Sequence, residues 1–377
     1  MSLTLTSGFR DSVLFHLKDV AKEATPQLKL DPHGFLSMLY KFKKPEILGL
    51  NNSAGHKKSV RVKYLQRLTQ DFTDTTKDCE QTNVMPCNEN NVELSSTRQI
   101  AIYIEDETIA RYNDEASMTV RLGLPATDFM NEFMEQIMAS ANAILDGVST
   151  DLLTTMSASF GVNRSNGLST AKTININANN DVNVLNNGIT QMLADYQVNR
   201  GKGRPQIVGN GLMHNWMIQN GAVAGANGFG LDTRIQGAGF DFYYDLGTVN
   251  AFGANQVGVF EPNAVGIVEY LEYTGFKAGV KPGGSTFGNL LLPMAGVDGD
   301  NVGVSFDFQL KYYDCAQTLT DAYYGTSLSV EKGYNLIISK QCGLYTIPDN
   351  AYRGTDVLSG NRGSYRYALT NTSESAV

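Results

Sequence analysis

The chain has 377 residues, 42% of them hydrophobic and 18% charged, with a formal net charge of −8 at pH 7. The apolar share can build a sizeable core and excludes wholesale disorder, and no run of about 18 apolar residues exists to span a membrane. The negative balance argues against a surface that wraps nucleic acid, and at roughly 100–200 residues per domain the length fits two or three bodies.

The charge is uneven. Residues 1–67 hold twelve Lys/Arg and five Asp/Glu, a net of +7, and the remaining residues hold 18 and 33, a net of −15. A basic leader on an acidic body has two readings. It lies on another copy of the chain, or it folds back on its own. The first residues, Met1 to Thr6, lack the basic region and apolar block of a signal peptide.

Residues 10–24 read as a helix, with Leu14, Leu17 and Ala21 at helical spacing. Pro26, Pro32 and Pro45 then punctuate an extended arm that carries the apolar patch Phe35 to Tyr40. Such a patch needs a surface to lie on. From Ser59 to Leu68 apolar and basic residues alternate: Val60, Val62 and Tyr64 against Arg61, Lys63 and Arg67. That pattern predicts a strand with one basic face. Asp71 to Asn91 is polar and reads as an exposed tip. Gln99 to Ile104 reads as the return strand, and it leads into Glu105-Asp106-Glu107. The whole is expected to be one long hairpin. A two-stranded ribbon is marginal alone in water, so this one needs either cross-strand charge pairs or a neighbour.

The strongest helix signal covers residues 125–157. Thr127 and Asp128 are good N-cap residues, and Phe129, Phe133, Ile137, Ala141, Ile144, Val148 and Leu152 recur every three or four positions. Glu132 and Glu135 sit where the helix dipole favours anions. An unbroken helix of this length is about 45 Å long, with Gly147 a point where it could bend or stop. Asn-rich loop follows from residue 163. Val184 to Val198 reads as a helix ending at Arg200-Gly201-Lys202-Gly203, Pro205 to Asn210 as a short strand and turn, and Gly211 to Asn220 as a second short helix. Residues 221–239 are a glycine-rich loop without the Gly-Lys-Ser/Thr of a phosphate cradle. Strands are expected at 240–244, 256–260, 264–270, 302–313 and 334–345. Beyond Arg353 the chain reads as a polar tail.

Catalysis finds little support. Cys79, Cys87, Cys315 and Cys342 lack zinc spacing and read mostly as free thiols, although Cys79 and Cys87 could meet across a hairpin. The four histidines are scattered, and His214, beside the one tryptophan at Trp216, reads as structural. No nucleophile elbow and no carboxylate pair stands out by spacing. The residues describe a non-enzymatic α+β protein with no cofactor and no metal.

This order of parts resembles the major capsid proteins of tailed bacteriophages, the Hong Kong 97 fold. The local matches are Pro205-Gln206-Ile207-Val208-Gly209-Asn210-Gly211-Leu212-Met213 through the glycine-rich loop to Phe240, and Gly258-Val259-Phe260-Glu261-Pro262-Asn263-Ala264-Val265. The resemblance implies an N-terminal arm (1–56), an extended two-stranded loop (57–118), a spine helix of a peripheral domain (119–163), an axial domain (164–275), returning strands (276–352) and a C-terminal tail (353–377). It implies a virion shell protein that assembles in the host cytoplasm as hexamers and pentamers around double-stranded DNA. Portal, scaffolding and decoration proteins are further partners that it brings, the DNA is contacted non-specifically, and no membrane is involved. Lys57, Lys58, Arg61, Lys63 and Arg67 would face acids such as Glu105, Asp106, Glu107, Glu132 and Glu135 on another copy. Gly225, Asn227, Gly228, Phe229 and Gly230 would converge near the capsomer axis. An encapsulin-like compartment holding cargo enzymes is the alternative within the same fold. A soluble enzyme with an unusual hairpin, or a phage tail or decoration protein, are the alternatives outside it.

Overall fold

A computed structural model describes residues 29–42, 46–52, 58–65, 87–105, 128–163, 166–175, 191–199, 201–212, 240–272, 279–280, 286–295, 301–313, 317–320, 327–330, 333–347 and 363–370. In chain order the elements begin with helix α1 (Gly34–Lys41) and strands β1 (Glu46–Asn52), β2 (Lys58–Leu65), β3 (Cys87–Glu93) and β4 (Ser96–Glu105). Helix α2 (Asp128–Ser157), β5 (Lys172–Asn175), β6 (Gln206–Gly209), β7 (Asp241–Tyr244) and the single turn α3 (Thr248–Ala251) follow. The remaining strands are β8 (Gln256–Phe260), β9 (Val265–Tyr270), β10 (Gly279–Val280), β11 (Thr286–Ala295) and β12 (Asn301–Tyr313), then β13 (Gln317–Thr320), β14 (Ser327–Val330), β15 (Gly333–Thr346) and β16 (Ser364–Thr370). Residues 191–198 are also helical. The mixed α+β class is as expected.

The chain forms two compact bodies, each made of three chain segments. The first comprises Met1–Asp31, Thr97–Val148 and Glu269–Gln341, and the second Pro32–Ser96, Ser149–Val268 and Cys342–Val377.

The first body is built on a sheet ordered β10-β11-β12-β15-β4. The β11–β12 ladder sets Leu290 opposite Phe306, Leu292 opposite Val304 and Met294 opposite Val302. Leu290, Leu292, Met294, Val304 and Phe306 are buried and Val302 is half-buried, while Leu291 between them is exposed, the period-2 pattern of a sheet with one covered face. Residues 286–295 read in sequence as an apolar run broken by Pro293, which hides the alternation. Leu30 of the arm bridges this sheet: its N–H donates to the Pro293 carbonyl (2.9 Å) and its carbonyl accepts from Ala295 N–H (3.0 Å). On the part of α2 in this body, Ile137, Met138, Ala141, Ile144, Leu145 and Val148 are buried, and Glu135, Ala143 and Asp146 are exposed. The helix continues through Gly147 without a break, and Arg98 packs close over that position. A Cβ there would lie 3.2 Å from Arg98 Nε.

The second body holds a sheet ordered β5-β16-β8-β6-β7. One face carries Ile174, Ile207, Val257, Val259, Tyr365, Tyr367 and Leu369, covered by Met192 and Tyr196 from the helical residues 191–198. Phe260 belongs to the opposite face, where its ring centroid lies 5.9 Å from those of both Phe35 and Phe160. Phe35 comes from α1, the expected apolar patch. So the surface this patch needs belongs to its own chain, as the fold-back reading holds for these residues. The Gly258–Val265 match is a strand, a turn and a strand: Ala264 N–H donates to the Glu261 carbonyl (3.0 Å) and Asn263 takes φ 63°. Asn tolerates that left-handed conformation better than most residues. The two strands join different sheets.

Two expectations are corrected. The 353–377 tail contains β16, which sits between β5 (parallel) and β8 (antiparallel) with Tyr365, Tyr367 and Leu369 buried. The expected hairpin of 59–68 with 99–104 does not form. β2 instead pairs antiparallel with β1 on one side and β3 on the other, and β4 joins the sheet of the first body. β3 begins within the stretch read as a polar tip. Its backbone closes the ladder although only Val92 among its apolar side chains is seen to be buried. The helix expected at 10–24, His214, Cys79, Cys315 and the glycine-rich loop lie outside the described residues. Cys342 is buried.

Candidate assembly surfaces

The basic strand is the middle strand of the three-stranded sheet. Val60 and Val62 are buried and Arg61 is exposed, so the alternation read from sequence separates a covered face from a charged one. In the ladder Lys63 stands opposite Glu46 of β1 and Glu89 of β3, and Ser59 opposite Glu93. Arg61 reaches diagonally to Glu89, with Nη1–Oε2 at 3.6 Å and both side chains about half exposed (46% and 51%). An exposed pair of this kind contributes about 0–1 kcal/mol and is screened by salt. The charged face is therefore partly neutralised within its own chain while its groups stay reachable from solvent. Glu89 was missed in sequence because it falls in the stretch assigned to the tip.

The other expected contact residues are dispersed. Lys58 lies in β2, Glu105 at the end of β4 and Glu132 in α2. Glu135 is exposed on α2 in the first body. Lys57, Arg67, Asp106, Glu107 and the loop residues Gly225, Asn227, Gly228, Phe229 and Gly230 lie outside the described residues.

Buried polar groups mark where the bodies are held together internally. In the first, Lys340 is only 1% exposed, and its Nζ donates to Glu269 Oε1 (2.6 Å) and the Ser305 carbonyl (2.9 Å). In the second, Lys172 Nζ meets Asp195 Oδ2 at 2.6 Å, Asn199 Nδ2 donates to Asn163 Oδ1 (3.0 Å), and Asn163 Nδ2 donates to the Tyr367 hydroxyl (3.3 Å). Burial, then the Asp195 charge, pushes the Tyr367 phenol well above its ordinary range. Arg366, on the other face of β16, has its guanidinium carbon 5.8 Å from the ring centroids of both Phe160 and Phe252. Burial lowers its pKa. Each of these groups holds one element to another. Among the described residues no three potential ligands gather to hold a metal, and no helix is long and apolar enough to cross a membrane.

No protein-family model and no curated protein matches the chain. Solved structures do resemble it. A chain of the capsid of the cyanophage P-SCSP1u is 12% identical with a TM-score of 0.43, covering 88% of this chain and 90% of that one. A chain from Mycobacterium phage Cain is 10% identical with a TM-score of 0.43, covering 94% of each chain. A chain of the capsid of Ralstonia phage GP4 is 11% identical with a TM-score of 0.39, covering 93% of this chain and 94% of that one.

Proposed function

We propose that the chain is a structural shell protein of a tailed bacteriophage, a major capsid protein that assembles through copies of itself as hexamers and pentamers around double-stranded DNA. The order of parts carries this reading. A small sheet with a charged face precedes an uninterrupted helix of 30 residues, Asp128–Ser157, with no basic residue in its last turn. A body of parallel and antiparallel strands follows, and long returning strands close the first body. That is the order of the Hong Kong 97 fold.

In this reading Lys57, Lys58, Arg61, Lys63 and Arg67 face acids of a neighbouring copy, Glu105, Asp106, Glu107, Glu132 and Glu135 among them. The loop with Gly225, Asn227, Gly228, Phe229 and Gly230 faces the capsomer axis. In this reading the arm, spine helix, axial domain and returning strands take the boundaries set out above, with β16 counted in the axial body, while the strands expected to form the extended loop divide between the two bodies. The test is the triple variant Lys57→Glu, Lys58→Glu, Arg61→Glu. The Arg61–Glu89 pair is exposed, so its loss leaves the fold nearly unchanged. Circular dichroism like that of the parent, together with a drop in assembled particles on size exclusion, supports the charged contact. An unchanged yield of particles contradicts it. Particles that hold protein cargo and no nucleic acid point to a compartment rather than a virion.

A further inference from the structure

We infer that Asp245 is a remote N-terminal cap that latches α1 onto the β6–β7 side of the second body. The inference does not depend on the shell reading. A helix start leaves its first N–H groups without partners, usually satisfied by a side chain at the N-cap. Here the N-cap, His33, makes no side-chain cap bond, and the first turn holds no acid. The acceptor comes from 210 residues away. Asp245 Oδ2 accepts from Phe35 N–H at 2.9 Å, in a buried bond. Its other oxygen, Oδ1, accepts from Gly247 N–H at 2.9 Å. The carboxylate is only 4% exposed, so both oxygens are committed to backbone donors in a poorly solvated place, where a charge-assisted bond is strong.

Asp245 is itself held rigidly. Its N–H donates to the Gly209 carbonyl (2.9 Å) at the end of β6, and its carbonyl accepts from Thr248 Oγ1 (2.7 Å). Beneath the cap, Phe35, Leu36, Met38 and Leu39 are at most 1% exposed. At the far end of the helix Lys41 Nζ lies 5.5 Å from the centre of the Tyr243 ring. The fit is close enough to require glycine: a Cβ at Gly34 would lie 2.1 Å from the Tyr244 carbonyl oxygen. The helix thus has one polar fastening, six consecutive buried residues from Gly34 to Leu39 and one backbone contact that admits no side chain. It contributes no strand to the sheet, so the β6–β8 and β8–β16 ladders close without it.

The test is hydrogen exchange followed by mass spectrometry on the full chain, parent against Asp245→Ala and, separately, Gly34→Ala. The first removes the cap from the body side, and the second forces the backbone contact apart from the helix side without touching Gly247. Both variants should raise exchange in peptides covering residues 34–41 by about tenfold or more, with peptides covering 206–209 and 256–260 unchanged. Unchanged exchange at 34–41 in either variant overturns the latch. So does an equal rise throughout the second body, because Asp245 would then support the sheet rather than hold α1 to it.

Discussion

Ending the chain at residue 362 removes β16, which sequence patterning alone assigns to a polar tail. Three of its side chains are nearly inaccessible: Tyr365 at 4%, Tyr367 at 0% and Leu369 at 5%. At about 1.5–3 kcal/mol for each large apolar side chain fully buried, their loss amounts to about 5–9 kcal/mol. Two ladders go as well. β8 loses the partners running from Ser364↔Phe260 to Ala368↔Gln256, and β5 loses its only strand neighbour among those described. The sum is comparable with the whole stability of a typical domain, about 5–15 kcal/mol. The truncated chain should therefore be unable to hold the second body, although the first keeps all its strands. Urea unfolding monitored by circular dichroism, with limited proteolysis to locate the open region, reads this directly. A truncated protein with the parent's unfolding midpoint and the parent's protection over residues 206–209 would refute the argument.

Three further outcomes follow from buried groups. Tyr367 has its phenol raised above the ordinary 10.0, so its neutral form is the one the fold favours. Its stabilising effect is complete below pH 10 and is lost as pH rises beyond that value; the urea midpoint of Tyr367→Phe should fall less steeply above pH 10 than the parent's, and parallel curves would contradict this. Replacing Glu269 by Leu leaves the Lys340 ammonium buried without its counter-ion and should cost about 3–5 kcal/mol in chemical unfolding. Adding Lys340→Met should recover most of that loss, since an apolar pair carries no desolvation cost; two costs that simply add would show that the groups are not coupled. Gly343→Ala should destabilise by about 1–3 kcal/mol, because its Cβ would lie 2.2 Å from the Glu93 carbonyl oxygen; a thermal midpoint equal to the parent's would count against the close approach.

Elements with clean periodicity were legible from sequence. The stripe from Ile137 to Leu152 places α2, and the alternation from Val302 to Leu310 places β12, because one covered face imposes one period. β16 was not legible. Arg366 marks its sequence as surface-like, yet the guanidinium packs against a pair of touching phenylalanine rings, which no local pattern announces. β3 was missed because Cys87–Glu93 is almost wholly polar, and its place is set by backbone pairing with β2. The charged face of β2 was read correctly at Arg61, but Glu89, its partner, stands on a strand that hydrophobicity does not reveal. Asp245 has no spacing signal at all, since its partner, Phe35 N–H, is 210 residues distant. Contacts between distant segments arise from tertiary packing, and a single sequence carries only the local half of that information.

In the proposed reading the chain's main partner is another copy of itself. Negative-stain electron microscopy of the purified full-length protein tests it most directly. Closed shells or sheets of six-fold and five-fold clusters are the predicted result, and a uniform field of compact monomers would contradict it.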